Sequence, residues 1–282
     1  MPETLFSYSD DSQSPLARGA IRLIERATGQ PELHRIYLEN QRNPVPGESF
    51  FAAAIRRLDL DVVHDAARLA ALPKTGPLVV VANHPYGVLD GLVLCWLVEQ
   101  VRTDFKVLTN SVLLRAPEAR PYLLAVDFAE TREAFETNIG SRQAARRHLT
   151  QGGCLVVFPA GAVSTAPDRL GRRPAVDAPW HPFAAQLIQR AKAPVAPFFF
   201  AGQNSRLFQI ASHISATLRL SLIFKEVRDR MHTRLPVVVG DLIPFEELAG
   251  FGERRSLVEE LRQRTYALGD QLARDERTAL SA

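Results

Sequence analysis

The 282-residue sequence is 46% apolar and 23% charged, with 19 Pro, 16 Gly and two Cys, a composition that excludes fibrous and largely disordered chains and provides for a packed core. Its 34 Lys and Arg exceed its 31 Asp and Glu by a net charge of +3, too small a surplus to mark a nucleic-acid binder. Cys95 and Cys154 lie far apart with no C-x-x-C between them, which supports neither a disulfide framework nor a cysteine zinc site and fits a reducing, cytoplasmic setting.

Residues 1–14 are acidic and polar, without the basic start and apolar stretch of a secretory signal. Next, Leu16, Ala20, Leu23, Ile24 and Ala27 recur at helical spacing, while Arg18, Arg22 and Arg26 repeat every fourth residue on another face. This predicts a basic amphipathic helix ending near Gly29, either docked on the core or lying on anionic lipid. Further helices are expected at 32–39 and 48–58, separated by the breaker Asn43-Pro44-Val45-Pro46-Gly47. Residues 1–60 thus read as an N-terminal helical hairpin, membrane-facing or docking, ahead of an α/β domain over 61–282.

From Leu72 onward, apolar and β-branched segments at 78–82, 105–108, 123–126, 154–158, 195–201 and 236–239 alternate with helix candidates at 91–101, 132–150, 182–192 and 256–274. The strand candidates are near-continuous apolar runs, as in strands covered on both faces. The alternation predicts an α/β fold with a mostly parallel central sheet flanked by helices. No stretch of about eighteen apolar residues occurs, so membrane contact is expected to be peripheral.

Chemistry concentrates in Val79-Val80-Val81-Ala82-Asn83-His84-Pro85-Tyr86-Gly87-Val88-Leu89-Asp90-Gly91. Here a buried strand runs into a polar turn and then an apolar helix, and active sites of open α/β sheets gather beyond the carboxyl ends of strands. Pro85 keeps His84 out of helical backbone, and Gly87 permits an unusual backbone angle. Asp90 falls in the first turn of the next helix, where a carboxylate is favoured. It serves there as a cap, or folds back to the imidazole; a histidine whose far nitrogen meets a carboxylate is a general base. The sequence has no G-x-S-x-G, P-loop, H-E-x-x-H or G-x-G-x-x-G after a strand, and the other histidines lack ligand spacing, so no metal and no bound cofactor are expected.

These residues resemble the glycerolipid and lysophospholipid acyltransferases, whose first motif is a strand-terminal Asn-His followed by an Asp, usually after four residues. Five intervene here, Pro85 to Leu89, a spacing that resembles the hemolysin-like and lyso-ornithine-lipid branch. Phe158-Pro159-Ala160-Gly161-Ala162-Val163-Ser164 is similar to the family's third motif, Val195-Ala196-Pro197 to its fourth, and Gly202-Gln203-Asn204-Ser205 again to the same branch. Residues 110–115 give a weaker match to the second motif, and the likeness runs from Pro73 to about Phe245.

The resemblance implies a glycerolipid acyltransferase-like fold and direct O-acyl transfer. His84 and Asp90 would be the catalytic pair, moving a fatty acyl group from acyl carrier protein or acyl-CoA as co-substrate to a lyso-lipid hydroxyl. Asn83, Tyr86, Gly87 and Arg115 are the implied substrate-binding residues of the first half, and Phe158, Pro159, Gly161, Ser164 and Asn204 those of the second. Backbone N–H groups at Gly87 to Leu89 or at Gly161 would stabilise the oxyanion. The family's Glu and Arg of the third motif are replaced by Ala160 and Val163. That removes a bidentate phosphate contact and points from lysophosphatidic acid toward another lysophospholipid or an amino-acid-linked lyso-lipid such as a lyso-ornithine type. Arg115 and Arg169 either restore the charge or are solvated surface residues. The implied setting is the cytoplasmic face of a bacterial inner membrane, on its surface, with no nucleic acid as partner. A thioesterase or lipid hydrolase using the same pair, and a non-catalytic lipid-binding relative, are the alternative readings.

Overall fold

The computed structural model describes residues 15–110, 116–126 and 132–281. In chain order the elements are α1 (Pro15–Ala27), α2 (Gln30–Arg42), α3 (Phe50–Arg57), β1 (Asp61–Val63), α4 (Ala66–Ala70), β2 (Leu78–Ala82), α5 (Val88–Glu99), β3 (Phe105–Asn110) and β4 (Leu123–Val126). They continue with α6 (Arg132–Thr150), β5 (Cys154–Val157), α7 (Phe183–Ala191), β6 (Val195–Phe200), α8 (Arg206–Ile214), α9 (Ala216–Ser221), α10 (Ile223–Asp229), β7 (Arg234–Val239), α11 (Phe245–Leu248) and α12 (Arg254–Ser281).

Among the described residues, seven strands form one sheet in the order β1-β7-β6-β2-β5-β3-β4. Every neighbouring pair is parallel except β6 and β7, which run antiparallel. The apolar run of β2 explains its central place, because its side chains alternate between two cores. Leu78, Val80 and Ala82 enter one with α3, α5 and α10, and Val79 and Val81 enter the other with α6, α7 and α12. β5 repeats this, with Cys154 and Val156 on the first face and Leu155 and Val157 on the second. Helix α5 carries apolar residues nearly all round because the sheet covers one side and α3 and α10 the other.

The expected strands and helices are present, with shifted ends. α5 begins at Val88 rather than Gly91, since Asp90 accepts the Gly87 N–H at 2.9 Å and so organises an earlier first turn. The sequence reading did not find β1, α4 or α8 to α11, which are short elements whose order depends on what they pack against. The face of α1 also differs. Ile21 is buried and Ile24 half-buried, whereas Leu16 and Leu23 are 87% and 70% exposed. The helix packs against α9, with Ile24 in the apolar cluster that holds Leu218, and its two leucines turn outward. α2 packs on α10 and α3 on α5. Among the described residues, no helix is long and apolar enough to cross a membrane.

Candidate active site

β6, β2 and β5 are adjacent and parallel, so the loops leaving their carboxyl ends meet at one end of the sheet. The loop from β2 is tied down first. Asn83 Oδ1 accepts the Phe200 N–H at 2.7 Å and Nδ2 donates to the Phe200 carbonyl at 3.0 Å. A side chain thereby extends the β2–β6 pairing by one residue. Tyr86 Oη donates to the Ala201 carbonyl at 2.6 Å, and the Arg230 guanidinium lies 4.6 Å over its ring. Burial pushes the Tyr86 phenol up to about 12, so it stays a neutral donor. Gly202 makes room for that phenol, because a Cβ there would lie 1.9 Å from Tyr86 Oη.

The turn then closes on Asp90. Its Oδ2 accepts the N–H groups of Tyr86 at 2.8 Å and Gly87 at 2.9 Å and lies 3.1 Å from His84 Nδ1. Gly87 permits this at φ 76°, a left-handed conformation that suits glycine. The His84–Asp90 approach has the length of an ion pair, but the ring N–H is not aligned on Oδ2 as a full hydrogen bond, and Asp90 Oδ1 has no partner. Burial raises the Asp90 pKa, while the imidazole and the two backbone N–H donors oppose the rise. His84 keeps 18% exposure. With Nδ1 turned inward to the carboxylate, Nε2 is the nitrogen on the open side. Phe158, just past β5, packs against the imidazole with ring centroids 4.3 Å apart and the rings tilted by 31°.

The third-motif loop grips the same histidine from the other side. The Phe158–Gly161 turn is closed by Gly161 N–H to the Phe158 carbonyl at 3.0 Å, and the Pro159 carbonyl accepts the His181 N–H at 2.8 Å. Ser164 donates its N–H to the His84 carbonyl at 2.8 Å, and its Oγ donates to Asp177 Oδ1 at 2.5 Å. That same Oδ1 accepts the His84 N–H at 3.1 Å. Sequence reasoning missed Asp177. Its one signal was a lone carboxylate within the apolar stretch Ala175-Val176-Asp177-Ala178-Pro179-Trp180.

The fold therefore joins His84, Asp90, Tyr86, Gly87, Phe158 and Ser164 through direct contacts, with Asn83, Pro159 and Gly161 shaping the loops that carry them. Asn204 is buried beyond β6 with both side-chain amide atoms unpaired; its backbone carbonyl accepts a 3.5 Å contact from Gln209 Nε2. Arg115, with the rest of the second-motif match after Asn110, lies outside the described residues. Arg169 is exposed. Val163 packs in a small apolar cluster with Val88, Ile24, Leu222 and Ile223. Two of the expected oxyanion donors are engaged, since Gly87 N–H serves Asp90 and Gly161 N–H serves Phe158. The Val88 and Leu89 N–H groups, in the first turn of α5, lack intrahelical acceptors by position. Among the described residues, no group of three or more His, Cys, Asp or Glu is placed to hold a metal ion.

The profile of a family described as Acyltransferase matches residues 14–275. A lyso-glycine lipid O-acyltransferase of Phocaeicola vulgatus is 24% identical over 240 residues, covering 82% of this chain and 81% of its own. Its namesake in Bacteroides thetaiotaomicron is 25% identical over 234 residues, covering 80% and 81%. Among solved structures, the chain is similar to the 1-acyl-sn-glycerophosphate (LPA) acyltransferase PlsC of Thermotoga maritima at 18% identity and TM-score 0.49, over 90% of this chain and 88% of that one.

Proposed function

The chain belongs to the acyltransferase family, and on that premise we propose that it moves a fatty acyl group from an acyl thioester to the hydroxyl of a lyso-lipid, with His84 as general base. The donor is acyl carrier protein or coenzyme A carrying the acyl chain. The observation that carries the reading is the His84–Asp90 pair at 3.1 Å beyond the carboxyl end of β2, with Nδ1 inward and Nε2 open. Nε2 takes the proton of the acceptor hydroxyl as its oxygen attacks the thioester carbonyl. Asp90 fixes the tautomer and offsets the imidazolium charge. The oxyanion forms near the amino end of α5, where the N–H groups of Val88 and Leu89 and the helix dipole favour negative charge. Collapse expels the thiolate, which recovers the proton from the imidazolium.

Ala160 and Val163 give the third-motif loop neither a carboxylate nor a guanidinium, and Val163 is held in an apolar cluster beside the catalytic turn. This favours an acceptor without a phosphate to grip. The names of the two relatives support a lyso-lipid bearing an amino acid. We place its work at the cytoplasmic face of an inner membrane; contact with a membrane surface, though not its side, is supported by Leu16 and Leu23, seven residues apart and outward on α1.

Incubation with labelled acyl-CoA or acyl carrier protein and a panel of lyso-glycine, lyso-ornithine and lysophosphatidate acceptors, read by mass spectrometry, tests the reading. Acylated product from an amino-acid-linked acceptor, abolished in His84→Ala, is expected. Free fatty acid without acylated acceptor would replace the reading with hydrolysis, and no thioester turnover at all would end it.

A further inference from the structure

Asp177 lies in the segment between β5 and α7 and is 3% exposed. Three donors converge on its carboxylate. Oδ1 accepts the His84 N–H at 3.1 Å and the Ser164 hydroxyl at 2.5 Å, and Oδ2 accepts the Trp180 indole N–H at 2.8 Å. Ser164, 1% exposed, returns its own N–H to the His84 carbonyl at 2.8 Å. The bonds close a circuit running from the His84 N–H through Asp177 and Ser164 to the His84 carbonyl. Both backbone polar groups of the histidine are thus held by one pair of residues, its N–H by the Asp177 carboxylate and its carbonyl by the Ser164 N–H. Asp177 is itself anchored to α12, donating its N–H to Tyr266 Oη at 2.7 Å and accepting Arg262 Nη2 on its carbonyl at 3.3 Å.

His84 needs such a grip. It lies two residues past the end of β2 and precedes a proline, outside the strand's ladder, and its ring must stay between Asp90 and Phe158. Rotating that peptide would move Nδ1 off Asp90. A carboxylate suits the task because it accepts from all three donors at once, whereas an amide must present its NH2 to one of them.

We propose that Asp177 is a positioning residue for His84, working through the His84 backbone and Ser164 without reaching the substrate. The proposal rests on the reading of His84 as the general base. Removing the clamp lowers kcat and leaves KM nearly alone, since Asp177 is 3% exposed and Ser164, which the resemblance offered as substrate-binding, is 1% exposed with its hydroxyl committed to Asp177.

The test uses Asp177→Asn, Trp180→Phe and their combination in the full chain. Asp177→Asn retains the shape but faces an NH2 toward either the indole N–H or the His84 N–H, and a loss of about ten- to a hundredfold in kcat is expected, the scale of a sub-ångström to ångström misplacement. KM for the acyl thioester should move by less than about threefold, because uniform binding is untouched. In the double variant the NH2 meets a phenyl ring instead of a competing donor, so Oδ1 returns to His84 and Ser164 and most of the lost kcat is regained. Loss of kcat only in step with the folded fraction, or a double variant no faster than Asp177→Asn alone, overturns the proposal.

A second measurement does not depend on turnover. Side-chain 15N spectra of His84 report its tautomer and ring environment. They should change in Asp177→Asn and return toward the wild-type pattern in the double variant; spectra that stay at wild type in Asp177→Asn overturn the proposal. If the wild type transfers no acyl group to any lyso-lipid, the function is wrong, and the spectra still decide the clamp.

Discussion

Replacing Asp90 with Asn separates its charge from its shape. The amide oxygen can occupy the place of Oδ2 and keep accepting from the Tyr86 and Gly87 N–H groups, while the NH2 takes the place of Oδ1, which has no partner now. The turn survives and the negative charge facing the imidazolium is lost. At the 3.1 Å separation, attraction between unit charges at an effective dielectric of roughly 20 is about 5 kcal/mol. As a ceiling, that is roughly four decades in rate. Set against the range of about a hundred- to ten-thousandfold for losing general-base assistance, the expected fall in kcat is about a thousandfold. Stability should move the other way. Burial raises the Asp90 pKa, so the fold binds this proton more tightly than the unfolded chain does. The stability it contributes is complete below the unfolded value of about 3.9 and is lost as pH rises through the folded value. The wild type carries that loss wherever its folded carboxyl is ionised, and Asp90→Asn does not. The variant should therefore melt at or above wild type at pH 7, the gap closing as the pH falls toward the unfolded value. Thiol release on acyl transfer and thermal melts across pH measure both quantities. A kcat within about threefold of wild type refutes the base assignment, and a melting point more than about 5 °C lower at pH 7 shows Asp90 to be chiefly structural.

Gly202→Ala places a Cβ 1.9 Å from Tyr86 Oη at φ +99° and should cost about 3 kcal/mol in urea unfolding from strain and overpacking; a cost below about 1 kcal/mol would show that Tyr86 yields freely. At the opposite end of the sheet, the buried Arg102 guanidinium donates to the carbonyls of Pro73, Gly76 and Gly152 and to Asp104. Arg102→Met should cost about 3 kcal/mol by stranding those acceptors, and denaturation unchanged from wild type would contradict this. For α1, Leu16→Ser with Leu23→Ser should reduce sedimentation with anionic vesicles by about tenfold or more, given the apolar area each leucine would bury. Equal sedimentation would take α1 off the membrane surface.

Much of the centre of this molecule was legible along the chain. The run Leu78 to Ala82 reads as a doubly covered strand because a parallel strand between two helical layers must be apolar on both faces, and β2 is that strand. The turn that follows was legible as well, since Pro85 and Gly87 restrict or extend backbone angles locally, and the Asp90 carboxylate is only six residues from His84. What the chain alone did not determine are the features whose partners are remote in sequence. α8 to α10 are too short to persist without the surfaces they pack on. The face of α1 follows from its own periodicity, but packing against the rest of the fold buried Ile21 and half-buried Ile24 while leaving Leu16 and Leu23 out. Asp177 is the sharpest case, for nothing in its neighbourhood marks a residue that meets His84, 93 positions away. Periodicity and turn chemistry are local, and so the sequence by itself determined the strand, the turn and the His84–Asp90 spacing. Only tertiary structure, which brings distant donors to one buried carboxylate, decided what holds the histidine still.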